Sequence, residues 1–199
     1  MSLNFTHDEV LERLRQIIGK CLMIDPESIT EDSYLNDLGA ESLDLVDISF
    51  SCEDEFNVLL PEKNIFEAGK AFFKEGTLQQ DGFLTEEGKK LLKTRMPDFD
   101  ISMNDGRVSM VEVDRSLLRV GAWVRMILGL LESTPKVCVE ECDTPLVRGR
   151  PGYMKCPSCQ REQEIRSGDS INNEWVQNYY EKEYLPNAVP SEAIRDAIQ

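Results

Sequence analysis

One stretch of eight residues, Asp37-Leu38-Gly39-Ala40-Glu41-Ser42-Leu43-Asp44, constrains the fold more than any other part of this chain. A glycine turn leads to a serine, and the serine opens an amphipathic run. Apolar residues follow at Leu45, Val46, Ile48, Phe50 and Phe56, with acids at Asp44, Asp47, Glu53, Asp54 and Glu55. This pattern predicts a helix from Ser42 to about Glu55, with Ser42 as its N-cap. A cap lies at an element boundary, so the hydroxyl is expected to reach solvent. Read alone, a serine before a helix is a plain cap. Residues 6–22 predict a preceding helix, capped by Thr6, with Asp8 and Glu9 suited to its positive end. Its apolar stripe is Val10, Leu11, Leu14, Ile17, Ile18 and Leu22. A loop rich in Asp, Glu, Ser and Pro spans 23–38, and Pro61 blocks any helix running on from the connector at 57–61.

The string from Leu38 to Asp44 closely resembles the prosthetic-group site of acyl carrier proteins, whose Asp-Ser-Leu motif carries 4′-phosphopantetheine on the serine. The resemblance extends upstream through Ile29-Thr30-Glu31-Asp32-Ser33 and downstream through Glu53-Asp54-Glu55-Phe56 and Leu60-Pro61. Glu41 stands where aspartate is commoner. The resemblance implies that Ser42 is the attachment residue and the substrate of a separate phosphopantetheinyl transferase. No base beside Ser42 is then needed, and the triad logic of hydrolases does not apply. It further implies that Leu43, Asp44, Asp47, Glu53 and Asp54 meet basic patches on the transferase and on acyl-processing enzymes. Charges in such a place tune encounter rate and specificity more than affinity. The same acids also read as a solvated helix face, which does not exclude docking. The implied fold is mainly α, an acyl-carrier-like four-helix bundle.

The chain departs from the simplest carrier pattern after Pro61. Ser116 to Val124 resembles the entry into the last carrier helix, which is expected to run to about Glu132 with Val124, Ile127, Leu128 and Leu131 on one face. An insertion at roughly 67–115 is therefore expected within a carrier-like domain of residues 1–132. Within it, Leu84 to Arg95 predicts a helix capped by Thr85 and closed by Pro97, and its Leu-Thr-x-Glu-Gly pattern resembles an insertion in some longer bacterial carriers. Asn104-Asp105-Gly106-Arg107 predicts a turn, with Phe99–Ile101 and Val108–Val113 as flanks of a small hairpin or an extended loop. The rival arrangement is a compact carrier domain ending near residue 80, with 81–132 separate. The tail, 169–199, is expected to be partly helical, over Asn172 to Glu183 and again over Ser191 to Ile198, with Pro186 and Pro190 as interruptions.

With 199 residues and 41% hydrophobic composition, the chain can bury a real core. Its net charge of −15 is uneven, because residues 1–80 alone carry 17 acids against 6 bases. Such an acidic front repels nucleic acid and steers basic partners toward it. The balance turns near-neutral further on, which argues for a boundary near residue 133. The longest apolar runs are too short to span a bilayer and the N-terminus lacks a signal-peptide pattern, so a cytoplasmic location is expected.

Six cysteines are present. Cys21 and Cys52 fall on the apolar sides of their helices and read as small buried hydrophobes. Cys138, Cys142, Cys156 and Cys159 form C-x3-C, 13 intervening residues, then C-x2-C. Two paired-cysteine turns joined by a hairpin-length loop suit tetrahedral Zn²⁺. Cys156-Pro157-Ser158-Cys159 resembles the knuckle of a zinc ribbon, a small β unit expected over 133–168. Val137 and Val139 on one side, and Glu164-Ile165 on the other, are its expected strands. The rivals are disulfides, disfavoured in a cytosolic protein, and a redox dithiol, which lacks its strand–helix context. Four thiolate ligands leave no open position, so the metal would be structural.

Two functions compete. The first is a carrier that holds acyl intermediates as thioesters on phosphopantetheine at Ser42, in fatty acid, polyketide or related lipid biosynthesis. The alternative is a non-catalytic interaction or regulatory module that uses the zinc ribbon beside an unmodified carrier fold. No enzyme is expected, because no catalytic histidine, paired-carboxylate pocket or phosphate loop is legible. The single histidine, His7, is expected at the start of the first helix.

Overall fold

A computed structural model describes residues 5–97, 99–140 and 142–188. The chain divides into two compact units, each discontinuous in sequence. One is Met1–Leu60 with Val111–Gly168, and the other is Pro61–Met110 with Asp169–Gln199.

The first unit opens with helix α1, His7–Leu22. Thr6 Oγ1 accepts the Glu9 N–H at 3.3 Å, and the Glu9 carboxylate accepts the Thr6 N–H at 2.7 Å. This reciprocal box satisfies two orphan donors of the first turn. The same Thr6 hydrogen bonds hold the Glu9 carboxyl below its usual value. Helix α2, Ser42–Phe56, buries Ile48, Cys52 and Phe56. Helix α5, Met110–Leu117, and helix α6, Val120–Ser133, follow. Helix α1 packs against both α2 and α6, presenting the buried Val10, Leu14 and Ile18. On α6 the buried stripe is Val120, Trp123, Val124, Ile127, Leu130 and Leu131. Leu128, expected inside, is only half-buried, and Leu130 takes the inner place.

The entry to α6 is tied to the segment before Ser42. Leu35 N–H donates to the Leu118 carbonyl, Val120 N–H to Ser33 and Gly121 N–H to Glu31, each at 2.9 Å. Tyr34 and Arg119 form an antiparallel bridge at the centre of these bonds. Far in sequence from α2, the start of α6 is thus tied by main-chain bonds to the loop that leads into α2.

The same unit holds a three-stranded antiparallel sheet in the order β3, β4, β5: Val147–Arg148, Tyr153–Lys155 and Glu162–Glu164. The strand expected at Val137 and Val139 reduces to a single bridge, Val137 with Pro145. The chain turns back immediately after it, with Cys138 N–H donating to Thr144 O at 2.9 Å. Glu164 ends β5 as expected, and Ile165, just past it, is buried.

The second unit begins with helix α3, Ile65–Gly69, whose cap Asn64 accepts the N–H groups of Phe66 and Glu67 at 3.0 Å. A two-residue hairpin joins β1, Gln79–Gln80, to β2, Phe83–Leu84. Its turn residues Asp81 and Gly82 have φ of 51° and 81°, the mirror-image turn that matches strand twist. Helix α4, Glu86–Arg95, starts where the sequence predicts, with Thr85 Oγ1 accepting the Gly88 N–H at 3.1 Å.

The turn at 104–107 becomes a 3₁₀ turn, Met103–Gly106, but its flanks do not pair with each other. Val108 O accepts from Leu84 N–H at 2.8 Å and Met110 N–H donates to Gly82 O at 2.9 Å. The chain then winds into α5. Strand β2 has therefore taken the partner that a 99–101 strand would have had.

Helix α7, Gly168–Tyr179, runs through a π turn, Tyr180–Tyr184, into α8, Leu185–Ala188. Pro186 does not interrupt the helix. Leu185 donates five residues back, to Tyr180 O, and Pro186 sits in the first turn after this wider one, where a missing N–H is tolerated. Phe73 is packed edge-on by Tyr180 and Tyr184, with centroids at 5.0 and 4.9 Å. Tyr179 donates to Glu87 at 2.7 Å, and burial raises its pKa. The helix expected over 191–198 lies outside the described residues.

Gly88 is the tightest point of the second unit, since a Cβ there would stand 1.9 Å from Leu78 O. Backbone must move to admit it, so Gly88→Ala should lower stability by about 1–3 kcal/mol despite alanine's better helix propensity. Thermal unfolding followed by circular dichroism reads the loss.

Candidate functional site

The path into α2 is a series of tight turns. Leu38 N–H returns to Tyr34 O, Gly39 N–H to Asn36 O and Ala40 N–H to Leu35 O, each at 3.0 Å. Gly39 makes the last reversal with φ of 92°, open to glycine without strain. The cap is Glu41, with extended φ and ψ of −96° and 174°, so Ser42 is the first helical residue rather than the cap. The reason lies three residues on. Asp44 Oδ2 accepts the Glu41 N–H at 2.8 Å, and that bond sets the boundary one residue earlier. The hydroxyl of Ser42 is thereby released from capping. It is exposed and has no hydrogen-bond partner among the described residues. It lies on an open depression of about 520 Å³, lined also by Asn36, Ala40, Leu45 and Leu118.

From Ser42 onward α2 exposes Leu43 (81%), Val46 (47%) and Phe50 (65%), a stripe at helical spacing left open by the described residues. Asp47 beside it is exposed and without an ion-pair partner among the described residues. Asp44 is half-buried and engaged as described. At the other end of the helix the acids are occupied. Glu53 accepts the Leu60 N–H at 2.8 Å, Asp54 pairs with Arg148 at 3.0 Å and Glu55 pairs with Arg13. The sequence offered no signal for these pairings, because both arginines come from distant segments. Cys52 is buried, and burial pushes its thiol pKa up. Cys21 is half-buried. His7 is exposed at the start of α1, its Nε2 3.6 Å from Glu31.

The four other cysteines converge. The sulfurs of Cys138, Cys142, Cys156 and Cys159 all lie within 4.8 Å of one another, and Cys138 and Cys159 are 3.8 Å apart. A tetrahedral zinc with Zn–S bonds of about 2.3 Å sets its sulfurs about 3.8 Å apart. The donor set and spacing therefore fit one four-coordinate thiophilic ion. In the second knuckle Gln160 N–H returns to Cys156 O at 2.9 Å, with Gln160 at φ of 62°. Cys159 N–H points at Cys156 Sγ at 3.5 Å. That N–H and the one of Ser158 hold the Cys156 thiol down to about 7 against the effect of burial. As a free thiol, Cys142 is pushed up to about 12 by the neighbouring Cys159 thiol, then by burial. Cys138 is relieved by the Glu140 N–H but still raised, by burial and the thiols of Cys156 and Cys159.

The ribbon is seated on the end of α2. Asn57 closes that helix in the left-handed region, φ 51° and ψ 54°, and is 1% exposed. Its Nδ2 donates to Tyr153 O at 3.3 Å and faces Met154 Sδ at 3.5 Å, while its Oδ1 is buried without a partner among the described residues. Leu59 packs on the small core of Cys138, Leu146, Met154, Cys156 and Ile165. Gly168 N–H closes the seam on Leu59 O at 2.8 Å.

A family model described as phosphopantetheine attachment site matches residues 12–70. Curated relatives include an acyl carrier protein of Phenylobacterium zucineum, 46% identical over 55 residues that cover 27% of this chain and 70% of that protein. An acyl carrier protein of Caulobacter vibrioides is 44% identical over the same shares. One of Zymomonas mobilis is 34% identical over 62 residues, 31% of this chain and 80% of that protein. No solved structure matches. The family match stops before β1, so the hairpin, α4 and the ribbon lie beyond it.

Asn57 separates two contributions that can be measured apart. Asn57→Ala should cost about 2 kcal/mol, from a left-handed backbone without Asn or Gly and from the lost bond to Tyr153. Asn57→Gly keeps the backbone tolerance and should cost about half as much. Denaturant unfolding of both variants checks the order.

Proposed function

This chain belongs to the acyl carrier protein family, and on that premise we propose that it holds acyl groups as thioesters on 4′-phosphopantetheine attached to Ser42. The single observation that carries the reading is the exposed Ser42 hydroxyl, left without a partner because Glu41 and Asp44 cap α2 in its place. The positive N-terminal end of α2 favours a phosphodiester at that residue. When bound, the arm supplies a terminal thiol for thioester exchange and brings its cargo to successive enzymes at high local concentration. The chain's own residues present the serine, hold the turn at Gly39 and offer a docking face. The carrier is proposed to be non-catalytic. Its partners are the transferase and acyl-processing enzymes of fatty acid, polyketide or related lipid biosynthesis. Among the described residues no helix is long and apolar enough to cross a membrane.

Leu43, Asp44 and Asp47 present the docking face of this proposal, joined by Val46 and Phe50, which in the sequence read only as part of the helix's apolar pattern. A module with an unmodified carrier fold is not favoured, since the serine and the apolar stripe are both left open by the described residues. The four cysteines are proposed to hold one structural Zn²⁺, with no position left open for substrate. The ion's part is to fix the knuckles and so the register of β4, whose last residue, Lys155, leads directly into Cys156.

Incubation of the apo protein with a broad-specificity phosphopantetheinyl transferase and coenzyme A should add one phosphopantetheine per chain, read by intact-mass spectrometry. Ser42→Ala should abolish it. An unmodified wild type, or equal modification of Ser42→Ala, sinks the carrier reading.

Metal analysis should give one zinc per chain, and Cys156→Ser or Cys159→Ser should lose it. Because the seam of α1 with α6 contains no cysteine of the cluster, chelation should melt the ribbon and leave most helical circular dichroism and the loading of Ser42 in place. Helices that unfold on chelation would make ribbon and bundle a single cooperative unit.

A further inference from the structure

We propose that Arg148 sets partner specificity by occupying the acidic C-terminal turn of α2 in cis, which confines recognition to the helix's N-terminal half. The proposal rests on the carrier reading for its biological meaning. Its geometry is independent of that reading.

Glu53, Asp54 and Glu55 form the densest run of negative charge on α2, and as bare acids they would extend any docking face along the whole helix. None of the three is free. Glu53 is turned inward to the Leu60 N–H, and Glu55 is paired with Arg13 of α1. Asp54 is 82% exposed at its side chain, so it is the one that a partner could still touch. Arg148 answers it. Its Nη2 bonds both Asp54 Oδ1, at 3.0 Å, and the Asp54 carbonyl, and its Nη1 lies 3.4 Å from the Glu55 carbonyl. These carbonyls belong to the last turn, where α2 has no further N–H groups to offer and where a cation suits the helix dipole. An exposed ion pair alone is weak. Here the main chain of the arginine is also held in place, because Arg148 lies in β3 directly across from Met154 of β4, which faces the Asn57 side chain.

A partner with basic residues therefore meets opposite conditions along one helix. Over Leu43 to Phe50 it finds an apolar stripe and the unpaired Asp47. Over Asp54 and Glu55 it finds a resident guanidinium that cancels the attraction and repels a second cation. Specific interfaces use such repulsive elements as well as attractive ones. The occupant fitted to the open half is a protein surface with an apolar recess rimmed by Lys or Arg. A partner that needs the far end of the helix is rejected.

The test uses the full-length apo protein, a phosphopantetheinyl transferase, and the variants Asp47→Asn, Asp54→Asn, Arg148→Gln and Asp54→Asn/Arg148→Gln. Asp47→Asn should lower kcat/KM for loading roughly two- to fivefold, and Asp54→Asn should leave it unchanged. Arg148→Gln should raise it by a similar factor and steepen its fall with salt, and the double variant should lose that gain. The proposal is overturned if Asp54→Asn slows loading as much as Asp47→Asn. It is equally overturned if folded Arg148→Gln loads no faster than wild type. Should Arg148→Gln fail to fold, the two aspartate variants still decide. A second probe does not depend on Ser42: an amphipathic Leu/Lys peptide titrated into the ¹⁵N-labelled protein. It should shift the amides of residues 43–50 and spare 54–55 in wild type, and reach 54–55 in Arg148→Gln. Shifts at 54–55 in wild type overturn the proposal. Absence of loading in every variant, with the peptide pattern as stated, overturns the carrier reading and not this one.

Discussion

The seam between α1 and α6 is the constraint on which the first unit depends. Val10, Leu14 and Ile18 are fully buried on one side, and Val120, Val124 and Ile127 on the other. Burying six such side chains is worth on the order of 10 kcal/mol against leaving them in water, before the entropy of ordering the chain is counted. No single hydrogen bond or exposed ion pair approaches that figure. The seam fixes α6, and the backbone bonds from Glu31, Ser33 and Leu35 to the start of α6 then fix the loop that delivers Ser42. The serine is thus positioned by packing at a distance, through a run of main-chain bonds with no side chain of its own committed.

A second dependency runs from the ribbon into the same helix. Cys156 directly follows β4, β4 sets the register of β3, and β3 carries Arg148 to the last turn of α2. Asn57 supports the arrangement at some cost, since its Oδ1 is buried without a partner among the described residues. The left-handed conformation that asparagine tolerates at a helix end gives the reason it stands there. The ribbon is consequently more than an appendage on a linker. It touches the one helix that carries the proposed attachment serine.

Much of this was legible in the sequence, and what was not has physical causes. The capping residues Thr6 and Thr85 located α1 and α4 because a cap is a local interaction. The cysteine spacing foretold the convergence of four sulfurs for the same reason. The cap of α2 falls at Glu41, one residue before the serine that the local pattern favours; glutamate rarely caps and does so here with Asp44 closing the box. Val108 to Val113, an apolar run expected to flank a small hairpin or an extended loop, instead gives its bonds at 108–110 to the β2 segment and winds into α5 for the rest. Asp81-Gly82 is a two-residue hairpin signal of the Asp-Gly type, but its first flank, Gln79-Gln80, is polar and carries no apolar alternation to mark a strand. The pairings of Asp54 with Arg148 and of Glu55 with Arg13 span 94 and 42 residues, and no local pattern announces contacts of that range. This is why acids that read as one docking face divide in the structure into an open half and an occupied half.

The length of chain between α1 and α6 also has a consequence in time. Roughly 100 residues separate the end of α1 from the start of α6, and ribosomes add about 5–20 residues per second. About 5–20 seconds of elongation therefore pass after α1 is made before its partner exists. Throughout that interval Val10, Leu14 and Ile18 have only α2 to cover them. A short carrier chain, with its last helix close behind, is spared most of this delay. The long one leaves this apolar face of α1 without α6 over that interval, a vulnerability that its finished fold conceals.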